Sequence, residues 1–322
     1  MEEKMKSERK KVIIDTDPGV DDALAIAYAV RSQLLEVVAL TTVFGNSNIS
    51  ETTNNALSIV NILGQDIPVY RGSGIRIDGS YPDTVAQSQI EAVKYFASKQ
   101  KSEIQEMAAV DAIISILENS LEPISIIAIG PLTNIALAYQ KSPQSFQTLD
   151  NIFIMDGAIQ TYGNTTQVAE FNVYSDPMAA DVVLNSGLPK ILIPVDVCRK
   201  VVMTPDELKD MEDNSIFDDL GDLVGQYMAY YAQTENLGGA VMYDPVAVGL
   251  CINPGFITRQ MPLYVRVETQ GLLTKGQTVA DLRPDNTNEP NIDVCLNVDA
   301  VKLKKDFYAA LMKGKNLEDF GG

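Results

Sequence analysis

The chain reads as an α/β protein, a single large domain in which a mostly parallel central sheet is flanked by helices. Three features predict this. Apolar strand-like runs alternate with helix-period segments through most of the sequence, the pattern of parallel βαβ units. Polar residues follow the ends of several of those runs, where open α/β sheets bind their ligands. Between the elements there is neither an internal repeat nor a linker that would separate two domains. The elements run in order: a strand over 11–15, a helix over 21–32, a strand over 35–43, a helix over 50–63 and a short strand over 67–70. Helical stretches lie before and after Gln100, followed by buried runs at 124–129, 152–155 and 190–195. Residues 204–235 read as helical and acidic, 261–298 alternate like strands, and 300–312 form a last helix. The segment 73–88, rich in Gly, Pro, Ser and Asp, predicts a mobile surface loop able to act as a lid.

The densest chemistry sits in DTDPGVDD, Asp15 to Asp22, directly behind the apolar Val12-Ile13-Ile14. Asp15 and Asp17 are two apart at a strand end and share one face. Pro18-Gly19 turns the chain and delivers Asp21 and Asp22 to the start of a helix. A helix start welcomes one or two acids because its free N–H groups and dipole favour negative charge, but it needs no third and fourth. Two carboxylates about 4 Å apart repel by about 4 kcal/mol at an effective dielectric near 20, which either raises a pKa or calls for a cation. A metal site therefore accounts for the motif better than surplus surface acids do. Further polar residues line up behind other strands: Asn46, Thr133-Asn134, Asp156 and Asp196. Singly, Asn134 and Asp196 read as helix caps; together with the acid motif they describe one polar rim.

Composition narrows the function. With 43 acidic and 25 basic residues the net charge is −18, and no basic run could track a phosphate backbone, so nucleic acid is not an expected partner. A small neutral or cationic ligand fits better. Residues 1–10, MEEKMKSERK, read as a disordered extension ahead of a domain spanning 11–322. They lack the apolar stretch of a signal peptide, and no later segment has the uninterrupted apolar length of a membrane span, so the expectation is a cytoplasmic protein. Cys198, Cys251 and Cys295 are far apart and odd in number, and read as reduced core thiols. The chain contains no histidine, which excludes Ser-His-Asp and Cys-His nucleophilic sites and His-ligated zinc or iron. What remains is oxygen chemistry around a hard cation such as Ca²⁺ or Mg²⁺.

Six stretches carry a specific resemblance: DTDPGVDDALAI at Asp15–Ile26, TTVFGN at Thr41–Asn46, IGPLTNIALA at Ile129–Ala138, IMDGA at Ile154–Ala158, GNTTQVAEFNVYSDPMAA at Gly163–Ala180 and YDPVAV at Tyr243–Val248. In this order and spacing the chain resembles, over nearly its whole length, the inosine-uridine-preferring nucleoside hydrolases. The resemblance implies a Rossmann-like core, one bound Ca²⁺, and hydrolysis of the N-glycosidic bond of ribonucleosides by a homodimer or homotetramer. Position by position it implies a calcium held by Asp17, both oxygens of Asp22, the backbone carbonyl of Thr133, and Asp244. Asp17 would also be the general base for a calcium-bound water. Asp21, Asn46, Met155, Asn164, Glu170 and Asn172 would form the sugar site, and Asp15 would support the ligands from behind.

Plainer readings exist for two of these segments. Alone, Glu170–Asn172 would be a loop turn with a solvated acid, and Asp244-Pro245 a helix N-cap followed by proline at the first helical position. Two departures from the family pattern stand out. Tyr243 occupies the position where many members carry the histidine linked to protonating the leaving base, and a phenol of reference pKa about 10 is a far weaker acid than an imidazolium at about 6.5. Tyr243 is accordingly the candidate for a weaker leaving-group contact, while Tyr227, Tyr230 and Tyr231 on one predicted helix are candidates to stack on a base. Asp156 stands where glycine is usual. Two other functions compete. One is a homologue that binds nucleoside or ribose without turnover. The other is a phosphatase built like the haloacid dehalogenases on Asp15-Thr16-Asp17, which would need Asp218-Asp219 and Asp222 as its late acids.

Overall fold

Val12 and Ile14 pack into one hydrophobic cluster and Ile13 into another, so the first strand, β1 (Lys10–Thr16), is covered on both faces. That is the position of a central strand in a parallel sheet. The computed structural model describes residues 9–82, 103–211, 224–225 and 237–311. Helix α1 (Val20–Arg31) leads to β2 (Leu35–Thr42), α2 (Ile49–Ile62) and β3 (Val69–Arg71). After α3 (Ala109–Asn119) come β4 (Ile124–Ala128), α4 (Thr133–Lys141) and β5 (Leu149–Ile154). The short α5 (Phe171–Ser175) and α6 (Pro177–Leu184) precede β6 (Lys190–Leu192), α7 (Val195–Cys198), β7 (Val202–Met203) and α8 (Pro205–Met211). β8 (Ala240–Val241), α9 (Tyr243–Ile252), β9 (Ile257–Leu263), β10 (Val265–Val267), β11 (Thr278–Ala280), β12 (Ile292–Val298) and α10 (Ala300–Leu311) complete the chain.

Eight strands form one sheet in the order β3-β2-β1-β4-β5-β6-β12-β9, parallel at every neighbour except the antiparallel β12–β9 edge. The chain first winds outward from β1 through β2 to β3, then returns to lay β4 on the other side of β1. The strand order reverses there, which makes the C-terminal ends of β1 and β4 the natural ligand crevice. Asp15 at the end of β1 lies in register with Thr41 of β2 and Ala128 of β4. Helices α1, α2, α9 and α10 cover one face and α3, α4 and α6 the other. On the first face Tyr28 meets Phe307 edge to face at 5.3 Å, and its hydroxyl donates to Asp306, binding α1 to α10.

The expected α/β architecture and the order of its elements stand, with most ends shifted by a residue or two as helix and strand termini commonly are, and β5 starting three residues earlier at Leu149. The expected strand over 190–195 is shorter, because Pro194 starts the turn of α7 instead. The acidic stretch after Thr204 begins as α8, its start closed by Glu207, which accepts from the Thr204 backbone N–H. In the expected lid, residues 73–82 are tied down: the Arg76 guanidinium is buried and donates from Nε to the Ser175 carbonyl at 2.7 Å, and the Ile77 N–H donates to Asp176. Residues 83–88, residues 1–8 of the expected extension over 1–10, the helix before Gln100, Tyr227, Tyr230, Tyr231 and the acids Asp218, Asp219 and Asp222 lie outside the described residues, while Lys10 of that extension opens β1 instead. Among the described residues no helix is long and apolar enough to cross a membrane.

Candidate active site

The acid motif folds as a strand end, a tight turn and a helix start, and every one of its carboxyls is buried. Asp15, Asp17 and Asp22 are at most 1% exposed; Asp21, at 8%, is the one turned most toward solvent. Gly19 caps α1, and its N–H donates to Asp22 Oδ2 at 2.9 Å, so Asp22 does the work of a helix-capping acid as well. Thr16 Oγ1 donates to the other Asp22 oxygen, and Asn46 Nδ2 donates to Oδ2 at 3.2 Å. A carboxylate has about four lone-pair positions, which leaves capacity on Asp22 for a cation.

Asp17 is held differently. Its Oδ2 accepts the Asn46 backbone N–H at 2.6 Å, whereas its Oδ1 is buried without any hydrogen-bond partner. Two glycines make room for it: a Cβ on Gly45 would stand 1.9 Å from Asp17 Oδ2, and one on Gly130 would stand 2.7 Å from Oδ1. Any side chain at either position would collide with the carboxylate, so TTVFGN and IGPLTN are shaped around Asp17. Asp15 is braced from behind by Thr41 Oγ1 at 2.6 Å and Asn134 Nδ2 at 2.8 Å, and burial pushes its pKa up to about 7.

Asp244 arrives from α9, more than two hundred residues away in sequence, and completes a cluster. One carboxylate oxygen each of Asp21, Asp22 and Asp244 lies within 4.8 Å of the others. Burial first, and the neighbouring carboxylates second, push Asp17 and Asp244 well above the usual carboxylate range, and burial raises Asp22. Among the described residues no lysine or arginine is among the main influences on Asp17, Asp22 and Asp244. Three carboxylate oxygens gathered at one point, with the unpartnered Asp17 Oδ1 beside them, fit a hard metal ion, which prefers carboxylate and carbonyl oxygen. The cluster can thus hold a metal. Asp17 is not part of the closest trio; it stands beside it, facing Asp22 and Asp21. Asp21, expected on the sugar, is within it.

The remaining expected residues gather around the adjoining strand ends. Glu170 is 2% exposed and caps α5, accepting from the backbone N–H groups of Asn172, Val173 and Gly157 at 3.0, 3.0 and 3.2 Å. The plain reading of Glu170 as a solvated acid is therefore wrong. Asn172 Nδ2 bridges the ends of β4 and β5 by donating to the carbonyls of Ile129 and Met155 at 3.3 and 3.2 Å. Asn164 Oδ1 accepts the Phe171 N–H at 2.8 Å and closes the 163–171 loop. Met155 is buried in the same group. Thr133 Oγ1 donates to Asp176 at 2.7 Å. Tyr243 is 3% exposed at the start of α9, and its carbonyl accepts from the Cys198 thiol at 3.7 Å.

Three cap assignments are corrected. The α9 helix starts two residues earlier than YDP implied, so Met242 is its N-cap and Asp244 and Pro245 lie inside its first turn. Asn134 is not a cap: its side chain joins Asp15 to the Thr42 carbonyl at 2.9 Å and accepts the Ser73 N–H at 2.9 Å. Asp196 accepts from the N–H groups of Ile159 and Gln160, pinning a loop instead of its own helix. Sequence reasoning also missed Thr16 and Thr41 as donors to the buried acids and the paired glycines at 45 and 130. The signal for all four was present, since each sits at a strand end facing the motif.

With this geometry in view, comparison with known proteins is direct. The profile of the inosine-uridine preferring nucleoside hydrolases matches residues 12–305, and the chain belongs to that family. It is 36% identical over 313 residues to an uncharacterised protein of Schizosaccharomyces pombe, covering 94% of this chain and 98% of that one. It is 33% identical over 294 residues to the non-specific ribonucleoside hydrolase RihC of Escherichia coli, covering 90% and 94%. A plant nucleoside hydrolase of known structure superposes with a TM-score of 0.87 at 30% identity, covering 94% of this chain and 99% of that one. Such relatives are N-glycosidases, and the phosphatase reading has no support among them.

Proposed function

We propose that the protein hydrolyses ribonucleosides to free base and ribose with Ca²⁺ as its cation. The observation that carries this reading is the buried, unpartnered Asp17 Oδ1 beside the Asp21, Asp22 and Asp244 cluster at the sheet's switch point. Asp17, Asp22, Asp244 and the Thr133 carbonyl would hold the ion. When bound, it supplies Lewis-acid polarisation of water and anchors sugar hydroxyls. Asp17 takes the proton of the attacking water, positioned by the Asn46 N–H on its Oδ2 and confined by Gly45 and Gly130. Asp21, the most exposed of the acids, binds a ribose hydroxyl. Asn46, Met155, Asn164, Glu170 and Asn172 line the sugar, and the surrounding carboxylates stabilise positive charge as the ribose becomes oxocarbenium-like. Asp15, braced by Thr41 and Asn134, holds the others in place.

Departure of the base is helped less than in histidine-bearing relatives. Tyr243 offers a phenol in the place of an imidazolium, so the leaving group receives a hydrogen bond instead of a ready proton. A screen of inosine, uridine and p-nitrophenyl riboside, with and without chelator and with metal analysis of the purified protein, tests both points. Turnover of the natural ribosides that disappears with the metal and returns with Ca²⁺ is expected. The rate advantage of the activated riboside should exceed that in a histidine-bearing relative, and an equal advantage would remove the idea of weakened leaving-group activation. Binding without turnover across the panel would instead identify a homologue that kept the site and lost catalysis.

A further inference from the structure

Asp156 follows β5 at the C-terminal edge of the sheet, 1% exposed, and it is the one described residue with both carboxyl oxygens buried and without a hydrogen-bond partner. Its surroundings are polar. Glu170 faces it, and the Asn172 side chain is the nearest amide. The two acids are in unequal positions. Three backbone N–H donors on Glu170 favour its anion, while Asp156 has only the nearby Asn172 amide, outside hydrogen-bond geometry. Two facing buried carboxyls keep one proton between them, and it resides on the member with less support for its anion. Asp156 then presents one O–H donor and one carbonyl acceptor, side by side and unused by the protein. A group that both accepts and donates at one atom, a hydroxyl, satisfies both.

Position selects the hydroxyl. In the ribonucleoside reading above, the cation at the Asp21, Asp22 and Asp244 cluster and Asp21 itself take the one pair of adjacent hydroxyls of a ribofuranoside, at C2′ and C3′. The Asp156–Glu170 pair lies outside that cluster, where the remaining hydroxyl, at C5′, is left to be bound. We propose that Asp156 is an additional sugar-binding residue, exchanging two hydrogen bonds with the 5′-hydroxyl of the bound riboside. The proposal rests on the ribonucleoside reading given above. It also makes the pocket selective, because a 5′-phosphate would bring negative charge against Glu170 and has no place there.

Steady-state kinetics of the calcium-loaded full chain on uridine, inosine and their 5′-deoxy counterparts test this, with thermal melts confirming that each variant folds. Asp156→Ala should raise KM for the ribosides by about tenfold, the scale of one well-made hydrogen bond to a buried group, with a smaller change in kcat. Asp156→Asn keeps a donor and an acceptor and should stay within about threefold of wild type. On the 5′-deoxynucleosides all three proteins should behave alike. An alanine penalty equal on uridine and 5′-deoxyuridine, or none on either, overturns the proposal. Should Asp156→Ala not fold, Asp156→Ser, whose hydroxyl is too short to reach, takes its place with the same expectations. Wild-type protein that turns over no riboside defeats the proposed function instead. In that event calorimetric titration with the same four nucleosides decides: a penalty in Kd confined to the 5′-hydroxyl compounds supports Asp156, and a flat pattern overturns it.

Discussion

Acids at the β1/β4 crevice and acids on the outer helices of this protein obey opposite rules. In the crevice, Asp17, Asp22 and Asp244 are buried against one another, and burial drives their pKa values up. On the outside, Asp181 accepts a bidentate pair from Arg266 at 2.9 and 2.8 Å and also the Val267 N–H, and Glu207 pairs with Lys304 at 2.6 Å; both are held below the usual range. The peripheral acids tie α6 to β10 and α8 to α10. Asp17 and Asp22 do accept the backbone N–H groups of Asn46 and Gly19, but among the described residues no basic side chain acts on them, and without a cation the crevice acids repel. One net charge of −18 thus conceals two populations, one that stabilises the fold and one whose burial beside like charges costs stability.

The largest test of that contrast is Asp17→Asn. It should lower kcat by about a thousandfold, as loss of a general base does, while the metal-free protein melts at a higher temperature because a buried repulsion is gone. Near-normal turnover would reject Asp17 as the base, and a lower melting temperature would reject the idea that the crevice is destabilised by its own charges. Next in size is metal removal. Calcium at about a hundred times its Kd should stabilise the wild type by about 2.7 kcal/mol, lost on chelation. Asp244→Asn should weaken calcium binding and shrink that gain, read by calorimetry and thermal melts; an undiminished gain would remove Asp244 from the ligand set.

The smallest effect sharpens the peripheral side. Asp181 has a depressed folded pKa, so its contribution is complete above the unfolded value and is lost as pH falls through the folded one. Half of the Arg266 side chain is exposed, which limits the contribution to about 1 kcal/mol. Asp181→Asn should cost about that much at pH 7 in urea unfolding, leave kcat and KM unchanged, and converge on wild type as pH falls through the depressed folded pKa. A change in kcat would blur the separation of the two populations.

Much of the molecule was legible from residue order. Alternating apolar runs announced the parallel sheet, because strands buried on both faces must be apolar throughout. The acid motif announced its own site, because four carboxylates in eight residues have no purpose in packing. Asn134 and Asp196 were misread for one reason. A short polar side chain near a helix start has a local use, and only the fold reveals that each spends its hydrogen bonds on a different segment.

By itself the sequence settled the α/β class, the acid motif and the absence of histidine chemistry, since these depend on local periodicity and residue type. Tertiary structure alone decided which acids share a point. It brought Asp244 to Asp21 and Asp22, left Asp17 Oδ1 without a partner between two glycines, and set Asp156 against Glu170. The physical reason is that desolvation and charge–charge repulsion depend on distance and burial in space, and strand order, which no local pattern encodes, determines both.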